Sequence, residues 1–414
     1  MNITELLDAE WRPALGCTEP AAVAWAAALA AGQAVGKARK VGLVCDPRTY
    51  KNCYAVGIPN SGHRSGILMA LALGTLAPDP SLGLRVFEAN TEEAVASAQE
   101  LVAGKALSVE VVRGHPELLI AVEVESNLGT GRAVIERDHS ALTRLEANGK
   151  LVGGSDAEGS AGPPSQIREG LAKLSFAERI EMARSISKPD RERLQEGIRY
   201  NVAIAERGME LLPKDFGAVE MPARLSRLVA AGVFARMSGE PLPVMSLAGS
   251  GNKGITASVP IALWGRKEGH SEAQVEEALA LACIMTSAVT YQLGTLSAIC
   301  GAANAAGVGI ATALVMLEGG SEVQVDLAIN NMVGNLAGMI CDGAKIGCAM
   351  KTMTGVDAAF RAAQLAMAGV GIPATDGILG ADGKTSLANL GLLAKEGMKN
   401  VDEVVLQIMQ EKIK

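Results

Sequence analysis

Aromatic side chains are nearly missing from this chain: Phe, Tyr and Trp make up 3% of its 414 residues. No core can be built around large rings, and the abundance of Ala and Gly points instead to helices that approach closely through small faces. Histidine is scarce too, with four in all and no H-x-x-x-H pair, so a zinc site is not expected. No basic block or stripe occurs, and the formal net charge is -7, which argues against nucleic acid as a partner. No Ser/His/Asp order suggests a hydrolase. The N-terminus lacks the basic and apolar regions of a signal peptide. Seven cysteines, an odd number, then fit reduced thiols in the cytoplasm. The stretch Ala278 to Leu317 has no charge and is long enough for two membrane spans. It is broken by Gly and dotted with Thr286, Ser287, Thr290, Gln292 and Asn304, and its flanks show no basic excess. It reads as helices buried in a soluble core, with no membrane partner.

The pattern predicts an α+β fold, a mixed N-terminal domain followed by an all-helical one. Residues 1–40 read as N-terminal helices packing on the helical domain, 41–155 as the α+β domain, and 156–414 as the helical, catalytic domain. Val41–Cys45, Tyr54–Ile58, Leu84–Glu88, Leu107–Arg113, Leu118–Glu125 and Arg132–Arg137 read as strands, being rich in Val and Ile and often alternating. Asn148-Gly149 offers a hairpin turn. Helices are expected near Ser65–Gly74 and Thr91–Ala103. Gly153–Gln166 reads as a linker, and beyond it helical patterns dominate, with no repeat at a fixed period.

Three stretches hold candidate chemistry. Cys300, Cys341 and Cys348 are spaced C-x40-C-x6-C, with Gly343 and Gly347 allowing the chain to fold back. Three converging thiolates would leave one corner of an iron–sulfur cluster free for a substrate; the alternative is three ordinary buried cysteines. Cys17 precedes a helix opened by Thr18, Glu19 and Pro20, where the dipole favours a thiolate, or it is a small residue filling a tight turn. Gly249-Ser250-Gly251-Asn252-Lys253-Gly254 is not a Walker A loop. Its Ser250, Asn252 and Lys253 could bind a substrate carboxylate, or it is a plain turn between helices. Asn60, Ser61 and Gly62 offer a second anion-binding turn. His63 reads as solvated, and His115, His139 and His270 pair with nothing obvious. Cys45, Cys53 and Cys283 read as structural.

Taken together, Gly16-Cys17-Thr18-Glu19-Pro20, the Gly249–Gly254 loop, Cys300-Gly301-Ala302-Ala303 and Cys341-Asp342-Gly343 with Cys348 resemble the L-cysteine desulfidase family. That family is related to the alpha chain of iron–sulfur L-serine dehydratases, and the resemblance covers nearly the whole chain. It implies an oxygen-sensitive [4Fe-4S] cluster held by Cys300, Cys341 and Cys348, with Cys17 as catalytic base. It also implies a small amino-acid substrate, with Thr18, Asn60, Ser61, Gly62, Ser250, Asn252 and Lys253 as the candidates for binding it. The dehydratases carry Asp-Pro after the second cysteine and Pro before the third, where this chain has Asp342-Gly343 and Gly347. That departure favours the desulfidase branch over serine turnover. Two rivals stand beside it: a pyridoxal-phosphate lyase with Lys253 as its Schiff-base lysine, and a non-catalytic amino-acid or redox sensor. The oligomeric state stays open, with a homodimer as one option.

Overall fold

The computed structural model describes residues 2–77, 79–113, 115, 118–154, 163–213 and 224–412. The fold is α+β. The N-terminal half contains α1 (Ile3–Glu10), β1 (Arg12–Ala14), α2 (Thr18–Gln33), β2 (Ala38–Cys45), α3 (Pro47–Cys53), α4 (Ile67–Leu76) and α5 (Glu92–Ala103). Strands β3 (Leu107–Val111), β4 (Leu119–Ser126), β5 (Thr130–Glu136), β6 (Leu142–Ala147) and β7 (Lys150–Gly153) follow. They join β2 in a six-stranded sheet of order β3-β2-β4-β5-β6-β7, in which only β2 and β3 run parallel. The Asn148-Gly149 hairpin turn forms as expected, both residues adopting positive φ.

The remaining chain forms α6 (Pro163–Lys173), α7 (Phe176–Arg184), α8 (Lys188–Leu211), α9 (Arg224–Met237), β8 (Val244–Ser246), α10 (Gly251–Lys267) and α11 (Glu272–Leu293). It ends with α12 (Gly301–Leu317), α13 (Glu322–Leu336), α14 (Cys348–Met367), α15 (Gly383–Leu392) and α16 (Val401–Glu411). The uncharged stretch becomes α11 and α12, which pack against each other and are almost wholly buried. Among the described residues no single helix is long and apolar enough to cross a membrane.

Several expectations fail for local reasons. Tyr54–Ile58 is not a strand; only Gly57 bridges, to Ser65, and its amide donates to the Met237 carbonyl on the helical side. Leu84–Glu88 lies in a 3-10 helix, Pro80–Ala89, capped by Asp79 and kinked at Gly83. Short apolar runs do not distinguish these states. The first helical pattern after the linker, Ile167 to Ser187, splits in two, because Ser175 and Glu178 form a capping box that starts α7. The expected linker Gly153–Gln166 lies largely outside the described residues. The C-terminal region is helical as expected, apart from the three-residue β8, Val244–Ser246, paired antiparallel with β1.

Residues 1–40 divide between two cores. Ile3, Leu6, Leu7, Trp11 and Cys17 join the core of the helical side. The alanines of α2 instead bury against α4 and the sheet, which corrects the expectation that this helix packs on the helical domain. Small side chains allow the close approach: a Cβ on Gly74 of α4 would sit 2.1 Å from the Ala24 carbonyl oxygen. Thus β1 and α2 straddle the junction, with Cys17 between them as the residue capping α2.

Candidate active site

A cavity of about 100 Å³ lies at this junction. That is below the ~300 Å³ usual for drug-sized ligands and suits a small polar molecule. Cys17, Ser250, Asn252, Lys253, Cys300, Cys341 and Cys348 all line it. Glu19, Lys51, Asn52 and Arg236 complete its polar wall.

The three cysteines reach it from different elements. An antiparallel bridge pairs Ile299 with Ile340. Its amides tie the two strands together, Cys300 N–H donating to Met339 O at 2.8 Å and Cys341 N–H to Ala298 O at 2.7 Å. Cys300 then caps α12, and Cys348 is the first residue of α14. The loop between Cys341 and Cys348 is pinned from the N-terminal half. Gly343 has φ +100, and a Cβ there would meet the Lys51 carbonyl oxygen at 2.3 Å. Lys51, on α3, donates to Cys341 O at 2.8 Å and pairs with Asp402 of α16 at 2.5 Å. Lys51 is buried, and removing its charge leaves Asp402 with Arg48, 3.1 Å away, as its remaining partner. Lys51→Met is expected to cost about 1.5–3 kcal/mol of stability through its lost charge-assisted hydrogen bonds and to loosen iron retention with all three cysteines intact. Denaturant unfolding and iron per chain check both.

The thiols fit a shared metal group by their chemistry. Burial, then Cys341 and Cys348, push the Cys300 thiol up to about 12. Burial chiefly raises Cys348 as well. One buried and two half-buried thiols, with Cys300 and Cys348 both disfavoured as thiolates, call for a multivalent cation to hold them ionised. Among the described residues no three such side chains close on a point as they would around a single ion. The three sulfurs line one cavity, and their soft donor chemistry fits a thiolate-bound metal group.

Cys17 faces this wall from α2, and here the structure corrects the sequence reading of a thiolate. Burial, then the charge of Glu19, push its thiol well above the usual range, while the Arg236 guanidinium offsets only part of this. The thiol donates to Glu19 Oε2 at 3.1 Å. The α2 dipole does not overcome burial and the carboxylate beside the sulfur. Burial pushes Glu19 upward, but His139 and the Cys17 thiol outweigh it and hold its carboxyl below the usual range. Asn52 donates to its other oxygen at 2.9 Å.

The glycine-rich stretch is a helix start rather than a loop, since α10 begins at Gly251 with Ser250 as its cap. A Cβ on Gly254 would fall 1.8 Å from the Met245 carbonyl oxygen, so this first turn lies directly on β8. Arg236 Nη1 donates to Asn252 Oδ1 at 2.9 Å and its Nη2 to Gly16 O at 2.7 Å, locking the Cys17 turn to α10. Lys253 Nζ donates to Ala248 O at 3.1 Å and Thr290 Oγ1 at 3.0 Å. Burial, then Arg168, bring its ammonium down to about 7.

Four candidates are not brought to this cavity. Asn60 donates to Phe87 O at 3.1 Å, and Ser61 Oγ lies 2.7 Å from Ile58 O, so both serve their own turn. Gly62 supplies that turn's positive φ. Thr18 lines a neighbouring cavity, its hydroxyl 3.2 Å from Gly249 O. Sequence reasoning missed Glu19, Lys51, Arg236 and His139. Glu19 read as a helix cap, and the spacing Cys17-x-Glu19 was the available signal. His139, read as unpaired, is 3% exposed and stands 3.7 Å from Glu19. Nothing local marks Lys51 or Arg236.

Residues 82–407 match the family described as serine dehydratase alpha chain. A UPF0597 protein of Geobacter sulfurreducens is 36% identical, over 99% of this chain and 98% of its own length. One of Desulforapulum autotrophicum is 37% identical, over 100% and 98%. One of Caldanaerobacter subterraneus subsp. tengcongensis is 35% identical, over 99% and 98%. With its cysteine wall and most of its length inside that match, the chain belongs to the serine dehydratase alpha-chain family.

Proposed function

We propose that this chain is a cytoplasmic iron–sulfur lyase that converts L-cysteine to pyruvate, ammonia and sulfide without pyridoxal phosphate. The observation that carries this reading is the meeting of Cys17 with Cys300, Cys341 and Cys348 in one small cavity. Those three cysteines would hold a [4Fe-4S] cluster, which when bound supplies a Lewis-acidic iron for the departing thiol. Cys17 is the base. Because burial and Glu19 keep it protonated, it must shed its own proton before it can take the α-proton. Lys253 holds the substrate carboxylate as an ammonium. The 2-aminoacrylate product tautomerises and hydrolyses to pyruvate and ammonia.

A second reading, L-serine dehydratase, is favoured by the family description itself. The two separate in an anaerobic assay of reconstituted protein. Pyruvate and sulfide in equal amounts from L-cysteine, exceeding pyruvate from L-serine, are expected. Pyruvate from L-serine alone would make the chain a dehydratase, and no product from either would favour a sensor.

Lys253 gives this site a pH dependence. With its ordinary proton affinity lowered to about 7, it carries the binding charge below that pH and loses it above. Thus kcat/KM is expected to fall as pH rises through neutrality, by up to about tenfold per unit. Lys253→Met should raise KM throughout and remove this limb of the profile.

A further inference from the structure

A hydrogen-bonded carboxylate and a buried imidazole form the wall between the active-site cavity and a second one of about 490 Å³. Glu19 lines the first cavity and His139 the second. The three groups stand in a row. Cys17 Sγ lies 3.1 Å from Glu19 Oε2, and Glu19 Oε1 lies 3.7 Å from His139 Nε2. That last gap is too long for a hydrogen bond, and Nε2 has no other partner among the described residues. On the far side of the ring, a Cβ on Gly249 would lie 3.9 Å from Nδ1. The second cavity has Arg12, Arg85, Glu88 and Ser140 at its exposed rim, so it opens to solvent.

The charges around this row are few. Facing His139 are Glu19 from α2, Asp138 beside it in the turn between β5 and β6, and Arg168 from α6, itself paired with Glu10 of α1 at 2.5 Å. Facing Cys17 are Glu19 and Arg236 of α9. Glu19 is also near Cys53 of α3 and Lys253 of α10. Burial pushes His139 down, but Glu19 and Asp138 outweigh it and raise its proton affinity above the usual range. A proton leaving Cys17 is therefore drawn along the row and away from the substrate.

We propose that Glu19 and His139 relay the proton of Cys17 to the second cavity, so that the substrate's α-hydrogen leaves by a different route from the substrate. This rests on Cys17 being the base. The Cys17 S–H bond breaks with its electron pair kept on sulfur, the proton passes to Glu19, and Glu19 delivers a proton to Nε2 of neutral His139. The thiolate takes the α-hydrogen as a proton. The C–H electron pair becomes the Cα–Cβ double bond, while the bond from Cβ to the leaving group breaks and its pair departs with that group. The imidazolium then releases a proton to solvent in the second cavity. Glu19 and His139 act through Cys17 and touch no substrate.

The test follows Cys17 itself. The whole chain is treated anaerobically with iodoacetamide across roughly pH 6 to 10, and alkylation of Cys17 is read by peptide mass mapping. In His139→Gln the row loses its proton acceptor, so Cys17 alkylation at about pH 8 should slow roughly tenfold and recover at higher pH. Glu19→Gln, which keeps the side chain's shape, separates the relay from simple electrostatics. It removes the charge that opposes the thiolate, so alkylation should quicken. Yet kcat should fall about 100-fold, with KM within about threefold. A wild-type Cys17 profile in His139→Gln overturns the relay whether or not the enzyme turns over, and so does Glu19→Gln with undiminished kcat. A Cys17→Ser variant of full activity overturns the base instead, which keeps the two failures distinct.

Discussion

Cys341→Ser is expected to bind little iron and to form no measurable pyruvate, while folding and melting much like the parent chain. The backbone of residue 341 is held independently of its sulfur, by its amide to Ala298 and by the Lys51 ammonium on its carbonyl. The side chain is only half-buried, so exchanging sulfur for oxygen opens no core cavity. What is lost is a soft thiolate, for which a serine hydroxyl, protonated at neutral pH, is a poor replacement. The two remaining thiols, Cys300 and Cys348, cannot hold three corners of a cluster. Iron per chain after anaerobic reconstitution, measured beside the thermal melt, checks this. Wild-type iron content in the variant would remove Cys341 from the ligand set.

Cys17→Ala should behave in the opposite way, keeping its iron and losing its chemistry. Cys17 caps α2 without any side-chain capping bond, so its methyl replacement leaves the helix start as it is. It stands apart from the three cysteines in origin, coming from the N-terminal half, and no ligand is removed. Loss of a positioned base costs typically 100- to 10,000-fold in kcat, and KM should change by only about threefold, since Lys253 remains. Washout of deuterium from the α-carbon of labelled substrate should cease in parallel. An alanine variant with wild-type kcat would return Cys17 to the part of a small residue in a tight turn.

How much of this was legible in the sequence differs from element to element. Strands β2, β4 and β5 could be read because Val and Ile recur in alternation over several residues. Helix α3 could not, being seven residues long, although Asp46 and Pro47 are a recognisable start and Asp46 caps it by accepting from the Arg48 and Thr49 amides. The start of α10 was hidden because Gly251 and Gly254 look like loop residues. There, glycine serves close packing against β8 rather than freedom to turn. Of the site, Cys300, Cys341, Cys348 and Cys17 stood out by residue type and motif. Their settings did not: a helix terminus argues for a thiolate, and only the fold reveals that Glu19 is buried beside the sulfur. Lys51, Arg236 and His139 become meaningful through partners far away in the chain, such as Asp402 for Lys51. No local pattern carries that information. The Asn60–Gly62 turn shows the converse, an anion-binding composition whose Ser61 hydroxyl serves the turn itself.

The most direct test of the account is to follow pyruvate formation from L-cysteine as a function of iron bound per chain, in one anaerobic reconstitution series. The account predicts no turnover from the iron-free chain and a rise in proportion to iron up to four per chain, with about equal sulfide and pyruvate released. Undiminished pyruvate formation by the iron-free chain would contradict it, because the three cysteines would then have no part in the reaction.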